Sequence, residues 1–240
     1  MKKLLIAALM LLSVNLFAQP WKSIRGDGNV KKETREVANF TSLSSHGSID
    51  IKINYGTSNS IQIEADGNLL PYIETTVENG QLNIQTKNNV NLKSRSKMTI
   101  YVSMTKINGL QLSGSGNIQG DGDFTGDDKT EISLSGSGNI NLSSGAFKNL
   151  DFRISGSGNI NVKRGSAEEI TASISGSGNV DCSNLSADDV DVKISGSGNT
   201  RITVNKSLTA NIMGSGNVFY KGSATNISTK VAGSGKAIKM

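Results

Sequence analysis

The chain is poor in the residues that usually staple exported proteins or carry their chemistry. One Cys and one His in 240 residues exclude an intramolecular disulfide and a His/Cys zinc cluster. Aromatics make up 5% of the chain with a single Trp, too few for a platform on which nucleic-acid bases could stack. The 25 Lys and Arg against 20 Asp and Glu are scattered apart from a small group at residues 93–97, read as a solvated loop. No basic face results, and no nucleic-acid partner is expected. Charged residues at 19% do not fit a highly charged disordered tail. Order must come from packing and hydrogen bonding.

Residues 1–18 place Lys2 and Lys3 ahead of an apolar stretch ending at Ala18, followed by Gln19-Pro20-Trp21. This is the layout of a secretory signal peptide. Beyond it no run of about 18 apolar residues occurs, so no transmembrane segment is expected in the mature chain. The lone Cys182 lies far from the cleavage region, which argues against a lipid anchor. The expected destination is the periplasm, the outer-membrane surface or the extracellular space.

A repeat dominates the remainder. SGSGN recurs at Ser113, Ser135, Ser155, Ser175 and Ser195, then MGSGN at Met213 and AGSGK at Ala232, at spacings of 22, 20, 20, 20, 18 and 19 residues. A period near 20 is the mark of a solenoid. Fourteen of the 27 glycines sit in these copies, so the glycine marks a repeated corner rather than a flexible linker. Before each corner apolar and polar residues alternate, as in Ile132-Ser133-Leu134 and Phe152-Arg153-Ile154; after it they alternate again, as in Ile140-Asn141-Leu142 and Ile160-Asn161-Val162. Period two means strands. A third apolar contribution follows at Phe147 and Leu150, Ala167 and Ile170, Ala187 and Val190, Leu208 and Ile227.

Three short sides and no helix-length stretch predict an all-β fold, a right-handed parallel β-helix of about 20 residues per turn over residues 109–240. The corner glycines are Gly114 and Gly116, Gly136 and Gly138, Gly156 and Gly158, Gly176 and Gly178, Gly196 and Gly198, and Gly214 and Gly216. Lacking Cβ, they let successive corners stack at the strand spacing of about 4.8 Å. Asn117, Asn139, Asn159, Asn179, Asn199 and Asn217 should then form a side-chain ladder. Cys182 falls in a core column and reads as an inert small apolar residue. His46, in a degenerate corner, reads as structural.

Residues 19–108 echo the unit less regularly: GDGNV at Gly26, then alternating segments at 49–53, 61–65, 82–84 and 98–102, with residues 89–96 read as a loop. This part is expected to be an irregular β region capping one end of the solenoid, since an uncapped turn exposes unpaired backbone. At the other end Lys236 replaces the ladder Asn and Lys239 follows, charge that discourages stacking.

With its apparent leader, the segment ADGNLLPYI at residues 65–73, VENGQLNI at 77–84 and the serial GSGN corners, the sequence resembles the auto-transporter adhesin "head GIN domain" family of secreted bacterial proteins. The resemblance covers nearly all of the mature chain. It implies a β-helical envelope or surface protein with adhesion as its role, and offers no catalytic residues to carry over. No translocator barrel follows Met240, so self-secretion is not expected.

Function classes can be weighed column by column. The outward column after the corner reads Gln119, Asn141, Asn161, Asp181, Arg201 and Phe219. Its one acid beside one base is read as a cross-turn ion pair, not as the converging carboxylates of a polysaccharide-acting enzyme. No corner completes G-x-G-x-x-G ahead of a helix, so no phosphate loop is expected. Asp121, Asp123 and Asp127 begin a calcium-like loop, but Ile132 stands where a bidentate Glu would close it; calcium is the one cofactor candidate and an acidic turn the alternative. The leading expectation is a noncatalytic binding scaffold. Its varied column Asn141, Asn161, Asp181 and Arg201 would meet an envelope glycan or protein, the Ser and Asn corners being structural. Self-association through the solenoid ends and a purely structural periplasmic role are the alternatives.

Overall fold

The computed structural model describes residues 22–240; the leader read at residues 1–18 lies outside the described residues. In the amino-terminal part β1 (Lys22–Arg25), β2 (Val30–Arg35), β3 (Ser42–Gly47), β4 (Asp50–Tyr55) and β5 (Ser60–Asp66) precede a 3-10 turn at Leu70–Tyr72. Then come β6 (Ile73–Glu78), β7 (Gln81–Thr86), β8 (Val90–Lys93) and β9 (Thr99–Met104). The coils begin with β10 (Gly109–Gly114), β11 (Asn117–Thr125), β12 (Lys129–Gly136), β13 (Asn139–Gly156), β14 (Asn159–Val162) and β15 (Gly165–Gly176). They end with β16 (Asn179–Gly196), β17 (Asn199–Gly214), β18 (Asn217–Lys221), β19 (Asn226–Gly233) and β20 (Lys236–Lys239).

Stacked turns pair in parallel and in register, which makes the fold a β-solenoid. Leu112, Leu134, Ile154, Ile174, Ile194 and Ile212 form one column before the corner, and Ile51, Ile118, Ile140, Ile160 and Val180 form one after it. All are buried, and full burial of such a side chain contributes about 1.5–3 kcal/mol. The third side stacks Phe147, Ala167, Ala187 and Val204. Leu150, Ile170, Val190 and Leu208, which the sequence groups with that side, instead begin the strand before the corner.

The corner shows why glycine recurs. Gly136 has φ 119°, and a Cβ there would lie 2.4 Å from the Gly114 carbonyl oxygen. Gly136 O in turn accepts the N–H groups of Ser157 at 2.9 Å and Gly158 at 3.1 Å. One carbonyl thus satisfies two donors of the next turn, and a side chain would push that turn away.

The solenoid begins before the exact repeats do. β3 and β4 form a coil that stacks on β10 and β11, although the two are 67 residues apart in sequence. Between them the chain leaves the coil and folds beneath it. β7 and β9 extend the two faces in parallel with β3 and β4. β6 then pairs antiparallel with β7, β5 with β9, and β2 with β5. The segment 89–96, read as a loop, contains β8, which pairs with β1; four residues were too few for the alternation to show, and the partner is remote. GDGNV forms no coil corner but turns the chain from β1 into β2.

Candidate binding groove and corner ladder

The concave surface of the solenoid lies before the corner. Residues two apart on a strand point to the same face, so the outward column Gln111, Ser133, Arg153, Ser173, Lys193, Asn211 and Lys230 runs beside the column Ser135, Ser155, Ser175, Ser195, Met213 and Ala232. Small side chains between long ones leave a groove of about 770 Å³ along these turns. Cations enter it on alternate turns, about 10 Å apart at the strand spacing. Arg153 pairs with Asp151 at 2.8 Å and Lys193 with Asp191 at 3.3 Å, whereas Lys230 forms no ion pair among the described residues. Toward the last turn Met213 and Ala232 replace Ser, and the groove becomes more apolar. Sequence reasoning examined only the column after the corner; the signal it passed over was the alternation of basic and small polar residues at 133, 153, 173 and 193.

The column singled out from sequence is aligned as expected but is occupied with itself. Asn161 donates to Asn141 Oδ1 at 2.8 Å. Asp181 accepts the Ser183 N–H at 3.1 Å. The Asp181–Arg201 ion pair does not form: Arg201, its neighbour in register, lies 5.1 Å over the Phe219 ring. Aromatic stacking offers a cation an attraction that survives beside water, and Asp181 finds its partner on its own strand. None of these residues lines the groove.

The asparagine ladder is continuous. Asn139 donates to Asn117 Oδ1 at 2.9 Å, Asn159 to Asn139 at 3.0 Å, Asn179 to Asn159 at 2.8 Å, Asn199 to Asn179 at 3.0 Å and Asn217 to Asn199 at 3.2 Å. Every amide points the same way. At the cap end the ladder finishes on Asp50, which accepts from Asn117 at 2.8 Å and pairs with Lys97 at 2.9 Å. Lys97, exposed in the loop after β8, thus reaches the end of the ladder. Burial works to raise the Asp50 pKa, but Asn117 and Lys97 outweigh it and hold the carboxyl below its ordinary range. At the far end Asn217 Oδ1 accepts the Lys236 backbone N–H at 3.1 Å.

The calcium candidates do not converge. Asp123 is held by Arg164 at 3.1 Å, while Asp127 bonds Lys106 at 2.6 Å and Asn108 at 2.8 Å. Both carboxyls are held below the ordinary range, Asp123 by the Ser144 hydroxyl and Arg164, Asp127 by Lys106 and Asn108. Asp121 is exposed on the bulge that begins after Gly120. Among the described residues no three His, Cys, Asp or Glu side chains gather as a metal site; the extra residues of this turn are absorbed by the bulge, with Gly122 at φ 136°. Cys182 is buried, its thiol 3.3 Å from the Arg201 carbonyl oxygen, and burial pushes its pKa well above the ordinary thiol range. His46 is exposed at the first corner, 3.2 Å from Ser44 Oγ.

Fold and groove together define a β-solenoid with an elongated surface channel. The chain belongs to the family described as "putative auto-transporter adhesin, head GIN domain", whose model matches residues 39–224. Among solved structures it is similar to a putative adhesin from Bacteroides fragilis (24% identity over 90% of this chain and 100% of that one, TM-score 0.83). A putative lipid binding protein from Parabacteroides distasonis (25%, 91% and 100%, 0.76) and a putative adhesin from Parabacteroides merdae (25%, 91% and 99%, 0.73) are also similar. No match is found among curated proteins.

Proposed function

We propose that the protein is a noncatalytic, adhesin-like scaffold of the cell envelope, and that the groove before the corner takes an extended glycan. The groove carries this reading. Its row of serine hydroxyls repeats over four successive turns, Ser135, Ser155, Ser175 and Ser195, and its cations at every second turn, so a chain ligand with a regular repeat meets equivalent weak contacts along its length and gains avidity from their number. The column Asn141, Asn161, Asp181 and Arg201 is the weaker site because its side chains are already engaged, the two amides with each other, Asp181 with the Ser183 N–H and Arg201 with the Phe219 ring. Adhesin descriptions within the family support the role, and the leader layout of residues 1–18 supports export.

A glycan array probed with residues 19–240 tests the reading. Filling the groove with Ser155→Trp and Ser175→Trp should abolish glycan capture, while the triple change Asn161→Ala, Asp181→Ala and Arg201→Ala should retain it, both with folded coils by circular dichroism. The reverse pattern returns the site to the column after the corner. A second reading is favoured by Met213, Val231 and Ala232 at the apolar end of the groove: an acyl chain lies there, in keeping with the lipid-binding description of one similar structure. Displacement of a fluorescent fatty acid, with no glycan captured, would select it.

A further inference from the structure

The last coil differs chemically from the rest of the molecule. Ile227 and Val231 stand in register with Leu208 and Ile212, which are 1% exposed, yet they are themselves 37% and 44% exposed. Met213, 63% exposed, lies beside Ala232 on the same face. Ile238 continues the outward column of Phe219. The outer edges of β19 and β20 pair with no described strand, β19 being bonded only to β17 and β20 only to β18. Charge changes with them: residues 201–240 contain six cations, three of them Lys230, Lys236 and Lys239, and no Asp or Glu. Those three lysines form no ion pair among the described residues, whereas Lys206 is tied to Asp188 at 2.8 Å.

An apolar surface ringed by unpaired cations needs an anionic partner with an apolar layer behind it. A second copy supplies one only in part. Joined through two last coils, the lysines meet each other; joined head to tail, β19 meets the outer strand β6 with its Glu74 and Glu78, but β20 meets the outer strand β2, where Lys31, Lys32 and Arg35 outnumber Glu33. Each arrangement brings like charges together along at least one edge. Deep insertion into hydrocarbon is opposed by the unpaired backbone groups of the two edges. The headgroup region satisfies every requirement: phosphate oxygens accept from lysine and edge N–H groups, water serves the carbonyls, and apolar side chains reach the acyl boundary. We propose that the last coil docks on an anionic lipid surface, with Met213, Ile227, Val231 and Ile238 at the acyl boundary and Lys230, Lys236 and Lys239 on the headgroups. The solenoid then stands with its cap away from the bilayer.

Vesicle co-sedimentation tests this on residues 19–240, which hold the whole described fold and omit the apolar leader. The probes are phosphatidylcholine vesicles with and without phosphatidylglycerol. Binding is expected only to the anionic vesicles and should weaken as salt rises. Lys230→Gln, Lys236→Gln and Lys239→Gln together should lower affinity on the order of 100-fold, from about fivefold per lysine, with an unchanged melting curve. Met213→Ser with Val231→Thr should weaken binding with the lysines intact. Equal binding to neutral vesicles, retention in the triple lysine variant, or a salt-insensitive wild type would overturn the proposal, as would a dimer by light scattering in the absence of lipid. Should the triple variant not fold, the salt series on the wild type decides alone. The glycan-array variants leave this end untouched, so the groove reading fails or stands separately.

Discussion

The carboxyl-terminal coils and the amino-terminal cap bury similar side chains but recruit them from different distances along the chain. In the coils each strand pairs with one about a turn away, so order spreads by nearest-neighbour addition, as in other repeat proteins. In the cap, β4 pairs with β9 and β2 with β5, and the first coil waits for β10 and β11 before its second face is covered. Loop closure over such separations costs entropy before any contact repays it. The regular part of this protein propagates order whereas the cap must assemble as a unit, and the cap converts a parallel stack into antiparallel edges.

The largest effect that would sharpen this comparison is a buried charge placed in each region. Ile160→Asp should destabilise by about 4 kcal/mol or more and disrupt the coils on both sides of the lesion, whereas the adjacent outward Asn161→Asp, which loses the bond to Asn141 and sets a carboxylate beside Asp181, should cost only about 1 kcal/mol. Ile63→Asp in the cap should instead give two separated thermal transitions by circular dichroism, the cap melting first. A single transition for Ile63→Asp would merge the two regions into one cooperative unit.

A corner substitution comes next. At Gly158 a Cβ would lie 2.2 Å from the Gly138 carbonyl oxygen, so Gly158→Val should cost about 1–3 kcal/mol and lower the denaturation midpoint measured in urea. An unchanged midpoint would break the picture of corners in contact. Thr200 offers a smaller effect of opposite sign. It stands between Val180 and Val218 in a core column, and its buried hydroxyl has no hydrogen-bond partner among the described residues. Thr200→Val should raise stability by about 1 kcal/mol, read from the same urea curves.

The smallest effect at neutral pH concerns acid. Asp66 in the cap accepts the Arg95 N–H at 2.8 Å and the Ser94 hydroxyl at 3.1 Å. The Arg95 bond first, with the serine bonds, holds its carboxyl below the ordinary value of 3.8 despite burial, and Asp50 is lowered from the same value. A depressed folded-state pKa contributes stability that is present above the unfolded value and lost as pH falls through the folded one. Melting temperatures should therefore hold between pH 7 and about 5 and fall below about 4, with cap amide exchange rising before that of the coils. Uniform loss across both regions would remove the distinction.

The parts of the fold that were legible in the sequence are those whose partners lie one period away. The corners, the inward columns and the asparagine ladder from Asn117 to Asn217 follow from spacing alone, because identical residues can only stack in one register. β8 escaped because it is short and its partner β1 begins the described chain. The coil made by β3 and β4 carries HGSID in place of SGSGN, and its partners lie beyond the cap. The groove escaped for another reason: a concave surface arises from the difference in size between neighbouring columns, Ser beside Arg153 and Lys193, and inspection of one column at a time does not reveal it. Asp181 and Arg201, by contrast, looked like a pair because they are adjacent in register, and only the position of Phe219 shows where the guanidinium goes.

The uniform direction of the asparagine amides has a genetic consequence. Each rung presents a donor toward the cap and an acceptor toward the last coil, so a coil inserted between any two rungs, or removed from between them, leaves every remaining rung with both partners. Unequal recombination between the nearly identical stretches that encode SGSGN would add or delete about one coil in frame and yield a protein whose corners still close. Length is thus a heritable variable that the architecture tolerates, and a lineage can lengthen or shorten the groove without redesigning either end.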